Sequence, residues 1–199
     1  VIIYPPNGRI PTMQAGLEIQ RGDPNGVREI PGERPVRYTH GGIARNGPED
    51  RGLSERCMVF NNGPPLFSGP YNNNLQIFQN RDHVVLLTEM GFDARIIPLH
   101  NGDHIDGKIS QWSGDSRGYF DGLTLVVETR NFTSQVGSLS LRDRSYGNAA
   151  ERILIEKFTP TAASTMNYEW TIEDPVTFTD RIVGIMPMTK TDGNIYEYA

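Results

Sequence analysis

Short apolar runs separated by compact turn sequences dominate the chain from residue 74 onward. Apolar and polar residues alternate along several of these runs with the period of two that is typical of a strand with one buried face. The predicted strands are Leu75–Gln79, His83–Met90, Ala94–Leu99, Lys108–Ser113, two strands around Asp121-Gly122, and then Arg152–Thr159, Thr165–Ile172, Arg181–Met188 and Ile195–Ala199.

The clearest hairpin signal is the Asp121-Gly122 pair, which follows Tyr119-Phe120 and precedes a long apolar run that extends to about Phe132. Asp-Gly readily adopts the positive φ angles of a two-residue type I′ turn. The sequence therefore predicts a tight hairpin with a stiff second strand, while Thr133–Ala150 is predicted to be a polar loop.

The predicted fold is all-β, an antiparallel meander that closes into a lipocalin-like up-and-down barrel. In Thr165–Ile172 the alternation places Met166, Tyr168 and Trp170 on one face. Closure of eight or nine such strands would remove the exposed sheet edges and leave room for side chains or one small ligand. The lipocalin comparison is an analogy at the level of the fold and implies no function.

Residues 1–73 differ in texture, because they contain 10 of the 14 prolines and 11 of the 21 glycines. Proline density of this kind excludes long helices and central strands. We predict an extended Pro/Gly-rich arm over residues 1–73, packed on a barrel domain of residues 74–199. Only Pro11–Gln20 could form a short helix, which Gly16 would weaken.

Composition and motifs limit the classes of partner and cofactor that this protein is expected to bind. The net charge is −5 and no basic patch with interleaved aromatic residues is present, so nucleic acid is not expected as a partner. No apolar run approaches the roughly 18 residues of a membrane-spanning helix. No phosphate-binding or dinucleotide-binding motif occurs, so no cofactor is predicted. Cys57 is the only cysteine and is interpreted as a small buried residue; the initial Val1 indicates a processed chain.

Candidate acid–base chemistry centres on His104 and Asp115. His104 lies in a loop, His100–Asp106, that contains two histidines and two aspartates. Gly102 makes a helical zinc motif there improbable, so no metal is assigned, although a third ligand from Asp115 or Glu89 would permit one. The simpler interpretation, a solvated loop between strands, is favoured by this composition.

Asp115 belongs to the turn-rich segment Gly114–Gly118, from which Asp115 and Arg117 can project together. A guanidinium beside the carboxylate would keep Asp115 ionised, which suits a general base or a group that orients a histidine. The alternative is an Asp-capped turn with no chemical role, which the composition favours.

Three further residues complete the predicted ligand site. Glu89 ends an apolar strand, and Arg95 across the following turn is its expected ion-pair partner. Trp112 could stack on a ring of a ligand, although core packing is the commoner role. Glu128 is interpreted as solvated, on a face with Thr124 and Arg130.

Several segments resemble a widespread, uncharacterised family of bacterial proteins that are apparently exported. They are Gly47–Arg51, Ser54–Cys57, Tyr71–Asn74, Asp93–Leu99, Gly114–Gly118, Thr124–Thr129 and Ile195–Ala199. The resemblance covers most of the chain from Gly47 onward and implies a periplasmic or secreted protein, with no activity attached. It also implies a Cys- and His-containing segment beyond Ala199, which would supply a partner for Cys57.

Two functions follow from these observations. One is an exported protein that binds a small organic ligand and carries out acid–base catalysis, hydrolysis or elimination, at the barrel mouth. His104 and Asp115 would be the acid–base pair, and Arg117 or Arg95 would bind an anionic group of the substrate. The other is a non-catalytic structural or assembly subunit that self-associates through its N-terminal arm. The sequence does not choose between them.

Overall fold

The regular structure of this protein is entirely β in the part that the computed structural model describes, which comprises residues 1–21, 58, 63–69, 73–89, 94–99, 102–141 and 144–193. The strands are β1 (Ile2–Tyr4), β2 (Gln20–Arg21), β3 (Leu75–Gln79), β4 (His83–Thr88), β5 (Ala94–Pro98), β6 (Asp115–Asp121), β7 (Thr124–Arg130), β8 (Leu139–Leu141), β9 (Arg144–Tyr146), β10 (Ile153–Ala162), β11 (Thr165–Glu173) and β12 (Ile182–Thr189). The all-β prediction is confirmed, and the short helix considered for Pro11–Gln20 is not formed.

The strands form three antiparallel sheets rather than one continuous meander. The largest has six strands in the order β1-β12-β11-β10-β7-β6, and two three-stranded sheets have the orders β2-β9-β8 and β3-β4-β5. Strand β7 pairs with β10 because β8 and β9 pair with each other in a separate sheet. Among the described strands no sheet closes on itself, so the closed barrel is not found there.

Segments on both sides of the main sheet depart from the predicted boundaries. The region Thr133–Ala150 contains the β8–β9 hairpin, where Leu139 and Tyr146 are buried, rather than only a polar loop. Residues 108–113 form no strand, and Gln111 makes only an isolated bridge to Phe132. The sequence did not predict the β8–β9 hairpin, because most residues of this region are polar and few of them are buried.

The β6–β7 hairpin has a different turn from the one predicted. Asp121 pairs with Thr124, so the two loop residues are Gly122 and Leu123 rather than Asp121 and Gly122. Gly122 has a φ of 59°, whereas Leu123 has a negative φ. Glycine with positive φ at the first loop position alone fits a type II′ turn, which demands nothing unusual of the following leucine.

Pro160 lies within β10, although the sequence placed it in a link between strands. The ladder between β10 and β7 ends at Phe158 opposite Leu125, so Pro160 has no β7 residue to bond with. A missing amide proton therefore costs little there, and the pairing with β11 becomes irregular after Pro160.

The first residues of the chain join the main sheet. Strand β1 pairs with β12, Met13 bridges to Phe178, and the Gln14 amide donates to the Thr177 carbonyl. Residues 22–57, which include about half of the predicted arm and Cys57, lie outside the described residues, as does Ile195–Ala199. The division into an arm and a barrel domain stays a prediction.

Alternation along the strands gives the six-stranded sheet two distinct faces. Residues directly opposite each other in neighbouring strands share a face. The inner face carries the apolar core and includes Val127, Glu156 and Trp170, which stand opposite one another. The outer face carries the alternate residues, among them Glu128, which stands opposite both Arg117 and Ile155.

The predicted faces of β11 and β7 are confirmed. Tyr168, Trp170 and Ile172 are buried and belong to the core, with Met166 packed against them. Leu125, Val127 and Thr129 are likewise buried on the same side of the sheet.

No helix among the described residues has the length and apolar content needed to cross a membrane.

Close packing joins β5 to β6 at Gly118. A Cβ atom added to this residue would lie 2.8 Å from Cγ2 of Ile97 and 3.3 Å from Cδ2 of Leu99. Ile97 is fully buried, so an added methyl group would have to displace a core side chain. A glycine is therefore required on β6 for the three-stranded sheet to reach the six-stranded one.

We expect Gly118→Ala to lower the free energy of unfolding by about 1–3 kcal/mol, because one methyl group overpacks this contact. Gly107→Ala is the matched control, since nothing lies within 4 Å of a Cβ atom at Gly107. Urea unfolding followed by tryptophan fluorescence compares the two variants. Equal stability of Gly118→Ala and the native protein would contradict this account of the sheet contact.

Candidate functional site

His104 lies between two carboxylates on the outer face of the six-stranded sheet. Its Nδ1 atom is 2.8 Å from Oδ2 of Asp115, and its Nε2 atom is 3.2 Å from Oε1 of Glu128. The structure therefore brings together the predicted pair His104 and Asp115. It adds Glu128, which the sequence did not connect with them.

The register of β6 and β7 arranges four charges around the imidazole. Asp115 stands opposite Arg130, and Arg117 stands opposite Glu128. Along each strand, Nη1 of Arg117 is 2.6 Å from Oδ1 of Asp115, and Nε of Arg130 is 2.6 Å from Oε1 of Glu128. Each acid thus has one arginine beside it and another opposite, an arrangement favourable to opposite charges on adjacent strands.

Backbone contacts hold the His104 loop against this pair of strands. The Ile105 amide donates to Oδ2 of Asp115 at 3.1 Å, and Nε of Arg117 donates to the Asp103 carbonyl at 3.1 Å. Just after β7, Nδ2 of Asn131 donates to the Ile105 carbonyl at 2.9 Å. Residues on both sides of His104 are therefore tied to β6 or to the residue that follows β7.

Gly114 allows the chain to enter β6 at Asp115. Its φ is 71°, and an added Cβ atom would lie within 2.8 Å of atoms of Thr129, Arg130 and Phe132. Both the left-handed backbone and the lack of space require glycine. The turn predicted over Gly114–Gly118 is therefore wrong after Gly114, because β6 begins at Asp115 and Gly114 makes the bend that positions the carboxylate.

Hydrogen bonding defines the form of the imidazole that fits this site. A carboxylate only accepts hydrogen bonds, so an imidazole bonded at both nitrogens to carboxylates donates from both and is an imidazolium. Asp115 and Glu128 are then balanced by Arg117 and Arg130, and His104 adds one positive charge. The cluster is held together by charge-assisted hydrogen bonds, which are stronger than neutral ones.

The pKa of Glu128 reflects two opposing effects. Partial burial raises it, but the hydrogen bond and charge of Arg130, together with those of His104, outweigh burial and bring the pKa of Glu128 below its ordinary value. The Glu128 side chain is 35% exposed, whereas that of Asp115 is only 9% exposed. The prediction that Glu128 is simply solvated is therefore wrong.

The predicted ion pair between Glu89 and Arg95 is also wrong. Arg95 stands opposite Leu86 on the buried side of β5, and its Nη2 atom is 2.7 Å from Oε2 of Glu156 in the main sheet. Glu89 instead accepts hydrogen bonds from the backbone amide and side-chain amide of Asn74. The prediction chose Glu89 because it is close to Arg95 in sequence. In the structure Arg95 instead pairs with Glu156, a buried acid of the six-stranded sheet.

Arg95 thus belongs to a second polar group, inside the core. The Tyr168 hydroxyl donates to Oε1 of Glu156 at 2.7 Å and accepts from the Leu66 amide at 2.9 Å. Burial and the negative charge of Glu156 raise the pKa of Tyr168 well above its ordinary value, so the phenol stays protonated. One sequence signal did point to this site, because Glu156 interrupts the apolar positions Leu154 and Phe158.

The two faces of the sheet divide the predicted site residues. His104, Asp115 and Arg117 meet on the outer face, while Arg95 meets Glu156 on the inner face. Trp112 lies three residues before Asp115 and is partly buried. It belongs to a turn in which the Gly114 amide donates a hydrogen bond to the Gln111 carbonyl. In the described part of the chain, no three His, Cys, Asp or Glu side chains are placed to hold a metal ion.

No protein-family model, curated protein or solved structure matches this chain.

Glu128→Gln tests the electrostatics of the cluster through acid unfolding. Because the pKa of Glu128 is lowered in the folded state, its stabilising contribution is present above its unfolded pKa of about 4.3 and is lost as the pH falls through the folded value. Urea unfolding from pH 3 to 7 measures it. We expect the native protein to exceed Glu128→Gln in stability near pH 5, and this difference to shrink as the pH falls further. A difference independent of pH would contradict the predicted direction.

Proposed function

We propose that this protein binds a small organic molecule at the His104 cluster and carries out acid–base chemistry on it, in an extracytoplasmic location. The resemblance to exported proteins supports the location, and the cluster supports the chemistry. The proposal moves the site from a barrel mouth to the outer face of the six-stranded sheet. Arg95 and Glu89 have no part in it, because they do not share that setting.

The main support for this proposal is that the two imidazole nitrogens of His104 differ in the length and surroundings of their hydrogen bonds. Nδ1 meets Asp115 at 2.8 Å, and Asp115 is itself fixed by Arg117 and the Ile105 amide. Nε2 meets Glu128 at 3.2 Å, and that carboxylate is more exposed to solvent. A histidine oriented through one nitrogen, with a proton available at the other, is suited to general acid–base catalysis.

Each residue then has a separate role. Asp115 orients the imidazole, Arg117 holds the Asp115 carboxylate in place, and His104 exchanges a proton through Nε2 once Glu128 leaves this position. Arg117 already donates to Asp115, the Ser116 carbonyl and the Asp103 carbonyl, so it acts as a positioning residue rather than a ligand anchor. Hydrolysis and elimination both need such a proton transfer at the ligand.

A second candidate function is self-association, and one surface favours it. Phe78, Val85 and Ile96 stand opposite one another across β3, β4 and β5, on the face turned away from the buried Leu86 and Ile97. Ile96 is 62% exposed. An apolar row across three strands is typical of a contact surface, and here the proposed partner is a second copy of the chain.

Native mass spectrometry of the protein purified from its source, followed by turnover assays on the compound it retains, tests the acid–base role. We expect His104→Ala and Asp115→Asn to lower turnover at least about 100-fold, the lower range of acid–base contributions. His83→Ala is the control, because His83 lies in β4 of the β3-β4-β5 sheet, and this variant should keep native turnover. Folding of each variant is checked by circular dichroism. Full turnover in both cluster variants would exclude the proposed roles.

Sedimentation velocity tests the assembly function. We expect Ile96→Lys to shift an oligomer of the native protein to monomer, because a charge at the centre of an apolar contact is costly to desolvate. Ile109→Lys replaces an isoleucine of similar exposure, 55%, in a loop and should leave the oligomer intact. A native protein that is monomeric at high concentration, or an Ile96→Lys variant that still assembles, would end this candidate function.

A further inference from the structure

The geometry points to a carboxylate as the chemical group of the ligand. We infer that the Glu128 carboxylate stands in the place that the ligand's own carboxylate takes, and that the ligand binds by displacing Glu128 from His104. This inference rests on the proposed function, because it concerns the same imidazole. It adds the ligand class and an internal group that occupies the site when the ligand is absent.

The contact between Glu128 and His104 is the weakest in the cluster. At 3.2 Å it lies at the long end of N–H···O hydrogen bonds, whereas charge-assisted bonds of this kind are usually about 2.7–2.9 Å. The same oxygen, Oε1, also accepts from Nε of Arg130 at 2.6 Å. Glu128 can therefore leave His104 while it keeps the stronger bond to Arg130.

Asp115 cannot leave in the same way. Its two oxygens accept from His104, from the Ile105 amide and from Arg117, and its side chain is almost fully buried. Glu128 uses a single oxygen for both of its donors and is about one-third exposed. The two carboxylates beside His104 thus differ, one being fixed and the other displaceable.

Departure of Glu128 from the imidazole leaves donors that match a carboxylate. His104 presents Nε2, and the terminal nitrogens of Arg130 have no protein partner in the described part of the chain. The Arg130 side chain is 45% exposed, so these nitrogens are accessible. A guanidinium and an imidazolium together bind a planar carboxylate well, and the Glu128 side chain shows that a carboxylate oxygen fits beside Nε2.

Rescue by an external carboxylate tests this inference without any turnover assay. In Glu128→Ala the internal carboxylate is removed, and we expect formate to bind at least 10-fold more tightly than to the native protein. Binding is measured by titration of the His104 ring signals in NMR spectra and by the formate dependence of the melting temperature, at constant ionic strength with chloride. Formamide, which is neutral, should leave the ring signals unchanged.

Glu169→Ala is the matched control, because Glu169 is another acid of the outer face, and its ion-pair partner among the described residues is Lys157, at 3.4 Å. It should not gain formate binding. If Glu128→Ala does not fold, Glu128→Ser replaces it, since this small side chain also vacates the place of the carboxylate. Equal formate affinity in the native protein and the Glu128 variant, or an equal gain in Glu169→Ala, would overturn the inference.

Two further outcomes separate the ligand class from the proposed function. Tighter binding of inorganic phosphate than of formate by Glu128→Ala would overturn the carboxylate assignment, because it indicates a general anion site. Loss of turnover in His104→Ala, with no formate binding to Glu128→Ala, would also overturn it while leaving the acid–base role in place. Formate rescue together with full turnover in His104→Ala would support the ligand class and exclude the catalytic role.

Discussion

The alternation of side chains along β7 and β10 is the constraint on which the rest of the structure depends. Because successive residues of a strand point to opposite faces, Glu128 and Val127 cannot share an environment, nor can Ile155 and Glu156. One face is filled by the apolar core, and the other carries ionisable residues at the solvent boundary. Every polar group discussed above belongs to one of these two environments, and its chemistry follows from which one it occupies.

Charged side chains are stabilised in different ways on the two faces of the six-stranded sheet. On the outer face, acids and arginines alternate between β6 and β7, and water shares in their solvation, so an individual contact can open at modest cost. On the inner face Glu156 is completely buried, and the described residues that compensate its charge are Arg95 from the three-stranded sheet and Tyr168, through its hydroxyl. Removal of one partner of such a pair is strongly destabilising. The inner group therefore ties two sheets together, whereas the outer group is the one that we propose exchanges partners with a ligand.

The position of His104 links the loop to the strands chemically as well as mechanically. The loop that carries it is bonded to β6 through Asp115 and Arg117, and to the end of β7 through Asn131. These contacts fix one nitrogen of the ring and leave the other beside the more exposed acid. A rigid hairpin with a loop bonded to it holds an imidazole in a defined position without the enclosure of a barrel, and the proposed site uses this arrangement.

The sequence by itself determined the all-β class, most strand positions and the buried side of β11, because these depend on local alternation and turn composition. It also suggested His104 and Asp115 as an acid–base pair, although its composition favoured a solvated loop and a capped turn. Only the tertiary structure decided that β7 pairs with β10, that Arg95 meets Glu156 rather than Glu89, and that Glu128 completes the imidazole site. Those contacts join residues from strands distant in sequence, and sheet order and register decide which charges face each other. Local patterns contain no information on either, since a strand's alternation is the same whichever neighbour it has.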